Sequence, residues 1–169
     1  MRKAVDEGQG KGSCMDAVRI IAASRHGLAQ ARTVQDIVIE AWQAQALAEA
    51  VGSLLAISGP FEVRAKARRL GEAGGRSGAA VLCPVPRTYG PRAAQLSEVQ
   101  DSKVALTDLC GLLAEVCEAL VGVVCAAEED GLYWTCVEAM DAADESRDRA
   151  AAILKQLLVR DRLHDHDPA

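Results

Sequence analysis

Four carboxylates carry the most specific chemical pattern in the chain. Glu115 and Glu118 stand three apart in Glu-Val-Cys-Glu, and Glu138 and Asp141 stand three apart in Glu-Ala-Met-Asp, with nineteen residues between the pairs. Residues three apart share a helix face. Mg²⁺ takes carboxylate oxygens and completes its shell with water and phosphate. Two such pairs on facing helices would suit a metal ion that clamps a polyphosphate and stabilises the charge of its displacement.

The spacing resembles the ExxE…ExxD signature of the all-alpha NTP pyrophosphatases. The resemblance covers only Glu115 to Asp141, and Ala114 stands where the family usually has a second glutamate. It implies a Mg²⁺-dependent nucleoside triphosphate pyrophosphohydrolase, with Mg²⁺ on Glu115, Glu118, Glu138 and Asp141. Helical wheels give the same residues a plainer role. All four lie about 100–200° from the apolar stripes of their helices, so they suit a solvated acidic face. A dimer packed through those outer faces would bring them together again.

Asp144 and Arg147 form a second constellation. They fall where the apolar stripe of the last helix, read through Met140, should have core positions. Isolated buried charges are costly, so the two should pair or face a cavity. An (i, i+3) ion pair is the plain reading, and a polar ligand pocket within the bundle, lined also by Trp42, is the functional one.

The six cysteines look structural. Cys110, Cys117 and Cys125 repeat at seven and eight residues, so they share one side of a helix and suit small core positions. No CxxC pair is present, which argues against a zinc site. Cys83, just before Pro84 and Pro86, is the cysteine with the most nucleophile-like setting, yet no base accompanies it in the sequence. Ferritin-like iron chemistry needs Glu-x-x-His, and no Glu stands three residues before any of the three histidines. Arg160 and His166 match the RxxxxxH spacing of HEPN-type helical ribonucleases.

Composition narrows the classes further. A net charge of −5 does not suit a general nucleic-acid binder. The charge is uneven: residues 62–92 carry seven bases and two acids, and residues 93–169 carry sixteen acids and six bases. The two segments either neutralise each other within the fold or present a partner site. The N-terminus lacks the apolar core of a signal peptide. The richest apolar run, Leu112 to Ala127, is broken by Glu115 and Glu118 and falls short of a membrane span. A cytoplasmic protein is expected. The absence of Asn and the excess of Arg over Lys suggest a high-GC genome, and in general look the chain is similar to short, uncharacterised all-helical proteins of high-GC bacteria.

The elements that hold these residues read as helices. Asp16 can cap a first helix with Val18, Ile21, Ala22 and Leu28. Thr33 and Asp36 form a near capping box for a second, which ends at Ser58-Gly59-Pro60. Pro60 then opens a short third helix carrying Phe61, Val63, Ala67 and Leu70. Residues 71–92 are rich in Gly and Pro and read as one long loop, either functional or disordered. Ser97 and Gln100 offer a capping box for a fourth helix with Val99, Leu106, Leu109, Leu113, Val116, Leu120 and Val124. Asp130-Gly131 would turn into a last helix over about residues 132–163, with Tyr133, Val137, Met140, Ala151, Leu154 and Leu158 on its inner face.

The expected fold is all-α: a four-helix up-down bundle with a short accessory helix and one long Gly/Pro-rich loop. Residues 1–14 form a flexible tail, Met15 is a candidate natural start, and residues 15–169 form one domain. The expected function is a non-enzymatic helical interaction module, a homodimer, with an unknown protein partner as the other expectation. Neither nucleic acid nor membrane is expected as a partner. No cofactor is expected, save Mg²⁺ if the pyrophosphohydrolase reading holds.

Overall fold

Asp16 starts the first helix as its side chain allows. Its carboxylate accepts from the Val18 N–H and, with its other oxygen, from the Gln100 N–H at 3.0 Å. The second contact ties the start of the first helix to the start of α4 in this computed structural model, which describes residues 15–80 and 90–164. The elements are β1 (Met15–Asp16), α1 (Ala17–Gln30), α2 (Val34–Ser58), α3 (Phe61–Ala80), a 3-10 turn (Arg92–Gln95), β2 (Leu96–Glu98), α4 (Ser102–Ala126) and α5 (Asp130–His164). β1 and β2 pair in parallel, Met15 with Leu96 and Asp16 with Glu98. The expected all-α class holds, with this small two-stranded ribbon added.

Two antiparallel hairpins make the bundle. In the first, Gly52 of α2 lies against Gly71 and Ala67 of α3, and Gly74 of α3 lies against Glu49 and Gln45 of α2. In the second, Cys117 meets Met140 and Asp144, Cys110 meets Arg147, and Lys103 meets Asp161. Further links run from α3 to α5 through Arg76 and Glu145, and from α2 to α5 through Gln45 and Ser146. The 14-residue α1 packs on α2 and α4. Leu47, Leu55, Leu70, Leu106, Leu109, Leu113, Leu120 and Ile153 are wholly buried between the layers. Each such side chain contributes roughly 1.5–3 kcal/mol of apolar transfer.

The third helix is the largest departure from the sequence reading. It is not a short accessory but a 20-residue bundle helix that runs through the glycine-rich segment to Ala80. The glycines explain this. A Cβ on Gly52 would lie 2.4 Å from the Gly71 backbone nitrogen, and one on Gly74 would lie 2.5 Å from the Glu49 backbone nitrogen. These positions let two helix backbones touch, so their glycines serve close packing and not a turn. Ala44 and Ala48, expected to support close packing within the bundle or across a dimer, are wholly buried within it. The 71–92 loop thus shortens: residues 71–80 are helical and 92–95 form the 3-10 turn, and its middle, with Cys83, lies outside the described residues. The 1–14 tail and His166 lie outside them too.

Three smaller expectations also shift. Ser97 sits in β2, and α4 is capped instead by Asp101, whose carboxylate accepts from the Lys103 and Val104 N–H groups. The α4–α5 connection is Ala127 to Glu129, and Asp130-Gly131 already belongs to α5. The inner face of α5 is Cys136, Ala143, Ser146, Ala150, Ile153 and Leu157, while Tyr133, Ala151 and Leu158 are exposed. The sequence stripe was rotated because small residues, Ala143 and Ala150, mark the core here in place of large ones. The Thr33–Asp36 capping box is present with both reciprocal bonds.

Candidate interaction face on helix 4

Ser102–Ala126 is long and apolar enough to span a membrane by length and composition, with a mean hydropathy of 2.1 in its richest window. Every 18-residue window of this helix contains Glu115 and Glu118, the two charges that break its apolar run. Ala105, Leu106, Leu109, Leu112, Leu113, Val116, Leu120 and Val123 turn inward and supply the core. Yet only 33% of that apolar window is buried.

The uncovered part has a regular spacing. Val104, Thr107, Gly111, Ala114, Glu118, Val121 and Cys125 follow one another at alternating three- and four-residue steps, the spacing of a helix-packing seam. Val104 is 45% and Val121 49% exposed, Thr107, Glu118 and Cys125 are exposed, and Gly111 and Ala114 are half-buried. At about 100° per residue the seam lies opposite the core stripe. Glu118 is its one charged member.

Each edge of the seam is held by a neighbour. On one side the Arg25 guanidinium of α1 forks onto the Glu115 carboxylate, with Nε 3.1 Å from Oε2. The pair holds the guanidinium pKa above its ordinary value, first through the hydrogen bond and then through charge. On the other side the Cys117 sulfur lies 3.6 Å from Asp144 Oδ1 and 3.8 Å from the Met140 carbonyl oxygen, both acceptors for its S–H. Burial, then the charge and hydrogen bond of Asp144, push the Cys117 thiol up to about 11. Cys110 is raised as well, chiefly by burial. Both shifts favour the protonated thiol over the thiolate.

At the Cys125 end, the register that sets Met140 against Cys117 brings Tyr133 level with Val124. Tyr133 and Trp134 stack edge to face, 5.3 Å between centroids, and are 41% and 63% exposed. Exposed aromatics beside apolar residues are the composition of an interface core. The sequence reading missed this seam because it counted the apolar residues of α4 toward one stripe only.

The carboxylates of the magnesium hypothesis do not gather. Glu115 is engaged by Arg25, while Glu118, Glu138 and Asp141 are exposed on two helices. Among the described residues no group of three or more His, Cys, Asp and Glu is placed to hold a metal ion. Asp144 and Arg147 form an (i, i+3) ion pair at 2.9 Å, with side chains 51% and 38% exposed. They lie on the α4 side of α5. Trp42 is half-buried on α2, whose link to α5 runs through Gln45 and Ser146, where the serine hydroxyl donates at 2.9 Å. An open groove of about 550 Å³ runs along α2 and α3 between Glu49, Ser53, Ile57, Arg68, Glu72 and Arg76, and none of Asp144, Arg147 and Trp42 lines it.

The basic segment finds some acids inside the fold. Arg76 reaches Glu145 at 3.2 Å, and Arg92 forks onto Glu40. Lys66, Arg68 and Arg69 of α3 are exposed and form no salt bridge among the described residues.

The model of a family of unknown function (DUF6099) matches residues 15–156. No curated protein and no solved structure matches the chain.

Proposed function

The chain belongs to DUF6099, a family of unknown function, and from that premise we propose that it is a non-enzymatic helical interaction module that works as a homodimer. One observation carries the reading: the most apolar helix of the bundle leaves a regular seam, Val104 to Cys125, uncovered. Its exposed apolar members are Val104, Val121 and Cys125, with Thr107 and Glu118 between them and Gly111 and Ala114 half-buried at the centre. The aromatic pair at one end and the small residues Gly111 and Ala114 at the centre suit close helix packing.

The thiol and carboxylate chemistry agrees with a binding role. The Cys110 and Cys117 thiols are shifted toward the protonated form, and Glu115 is ion-paired with Arg25. A cytoplasmic location and a bacterial source go with the reading.

Light scattering on the purified full chain tests it. The expected mass is twice 17.8 kDa over the micromolar range. A monomer at every concentration would remove the homodimer from the proposal.

A further inference from the structure

We propose that the tip of the α2–α3 hairpin docks on an anionic lipid surface, with Ile57 and Phe61 entering the interface and Arg64, Lys66, Arg68 and Arg69 facing the lipid phosphates. The inference goes beyond the self-association reading and uses a different end of the molecule.

Two side chains flanking the Ser58-Gly59-Pro60 turn supply the apolar part. Ile57 is 75% and Phe61 84% exposed, more than any other large apolar side chain among the described residues. Arg64 Nε donates to the Gly59 carbonyl oxygen at 2.8 Å and holds the turn against α3.

The four bases follow Phe61 within about 12 Å along α3, and all are exposed. None of them takes part in a salt bridge among the described residues, and the one contact of Arg64 is to a neutral carbonyl. Glu62 is the single acid from Phe61 to Arg69. Asp101, Lys103 and Arg160 line an open pocket beside Pro60. Lys103 and Arg160 both reach Asp161, and Asp101 caps α4, so that group is balanced in charge. The bases of α3 therefore stay uncompensated. At the far end of α5 the exposed Glu128, Glu129 and Asp130 stand about 39 Å from Gln156, whose amide donates to the Glu62 carbonyl at the tip. The net charge of −5 disfavours a membrane for the chain as a whole, but the tip has the opposite sign.

A lipid surface fits the tip better than other polyanions. The groove between α2 and α3, where an acidic peptide would lie, sets Glu49 and Glu72 against Arg68 and Arg76 and offers no net attraction. The aliphatic Ile57 gives a nucleotide base no face to stack on. A bilayer needs no groove. Apolar side chains sink roughly 5–10 Å into the boundary between headgroups and acyl chains, and bases stay among anionic headgroups. Arg64 and Lys66 lie within about 8 Å of Phe61 along α3, which matches the depth of the headgroup layer.

Flotation of the full chain tests this with vesicles of phosphatidylcholine alone and of phosphatidylcholine with an equal part of phosphatidylglycerol. The expected result is binding to the anionic vesicles only, weakening as salt rises. Phe61→Ser should weaken it at least tenfold, and Lys66→Gln and Arg69→Gln about fivefold each. Glu129→Gln, at the far end, should leave it unchanged. Circular dichroism checks the fold of each variant, and Ile57→Ser replaces Phe61→Ser if the latter unfolds early. Equal binding to both vesicles, binding that ignores the Phe61 and base variants, or no binding overturns the proposal. A chain that ignores both vesicles but is retained through the same residues by polyglutamate or single-stranded DNA assigns the tip to an acidic protein or a nucleic acid, and also overturns it. Light scattering reads the homodimer separately, so either reading can fail while the other stands.

Discussion

Glu40 of α2 and Arg92 of the 3-10 turn meet as a two-pronged pair, Nη1 to Oε2 at 2.5 Å and Nη2 to Oε1 at 2.7 Å. The Glu40 side chain is 11% exposed and that of Arg92 32%. The Arg92 backbone N–H also donates to Gln43 Oε1 at 2.8 Å. Gly27 of α1 leaves room for the pair, since a Cβ there would sit 2.8 Å from both Arg92 Nη2 and Glu40 Oε1. Three parts of the chain converge on one largely dry ion pair. It fixes how the segment before α4 returns to the bundle.

Removing one partner of such a pair leaves the other charge poorly compensated. Glu40→Ala should lower stability by about 2–3 kcal/mol in urea unfolding, discounted from a fully buried case because Arg92 keeps some water. Gly27→Ala should cost less, about 1 kcal/mol, because the atoms it meets are the ends of side chains that can move. If both are neutral, the pair does not hold the 90–95 segment.

Glycine-to-alanine changes should have opposite signs on two faces of the bundle. On an open helix surface the change gains up to about 1 kcal/mol. Gly122 of α4 meets nothing within 4 Å and should show that gain. Gly52 meets the Gly71 backbone nitrogen at 2.4 Å, so Gly52→Ala must push α2 and α3 apart. It should cost about 2–3 kcal/mol by overpacking. Thermal unfolding midpoints that move the same way for both would contradict the close α2–α3 approach.

The thiols should divide by environment. Cys125 is exposed, whereas Cys117 has its pKa raised to about 11 from an ordinary 9.0. At pH 8 only about a thousandth of Cys117 is thiolate. Alkylation followed by mass spectrometry should label Cys125 early and Cys117, Cys110 and Cys136 late in the native chain. The same shift has a stability sign. A folded-state pKa raised above the unfolded value means that folding favours the protonated thiol. That contribution is whole below about pH 9 and is lost as pH rises toward 11.

Much of the fold was legible in the sequence where a cap or a large apolar residue marked it. Asp16, Thr33 and Asp36 announced α1 and α2 through side chains suited to cap a helix start. The segment GEAGGRSG was opaque, because glycine looks alike whether it makes a turn or lets two backbones touch. Only the position of α2 against Gly71 and Gly74 decides between them. The α5 core was misread for a related reason, since Ala143 and Ala150 bury no large side chain to mark the face. The α4 seam was hidden in plain composition. Periodicity identifies one apolar stripe, and a helix apolar on two sides needs its neighbours before the second side is visible.

Glu118 offers a last discrimination, because it is the only charge on the seam and its effect depends on orientation. In a parallel, in-register pair the two Glu118 side chains stand across from each other. Like charges so placed on helices cost about 0.2–0.5 kcal/mol. Glu118→Gln should therefore tighten the dimer, by up to about twofold in dissociation constant at low salt. In an antiparallel pair crossing at Ala114, the two backbone positions lie about 12 Å apart along the axis. That exceeds the screening length of about 8 Å at physiological ionic strength, so the substitution should then change little. Sedimentation equilibrium of wild type and Glu118→Gln at two salt concentrations separates the cases. Tightening that shrinks as salt rises fits the parallel seam, and an unchanged constant at both salts argues for the antiparallel one.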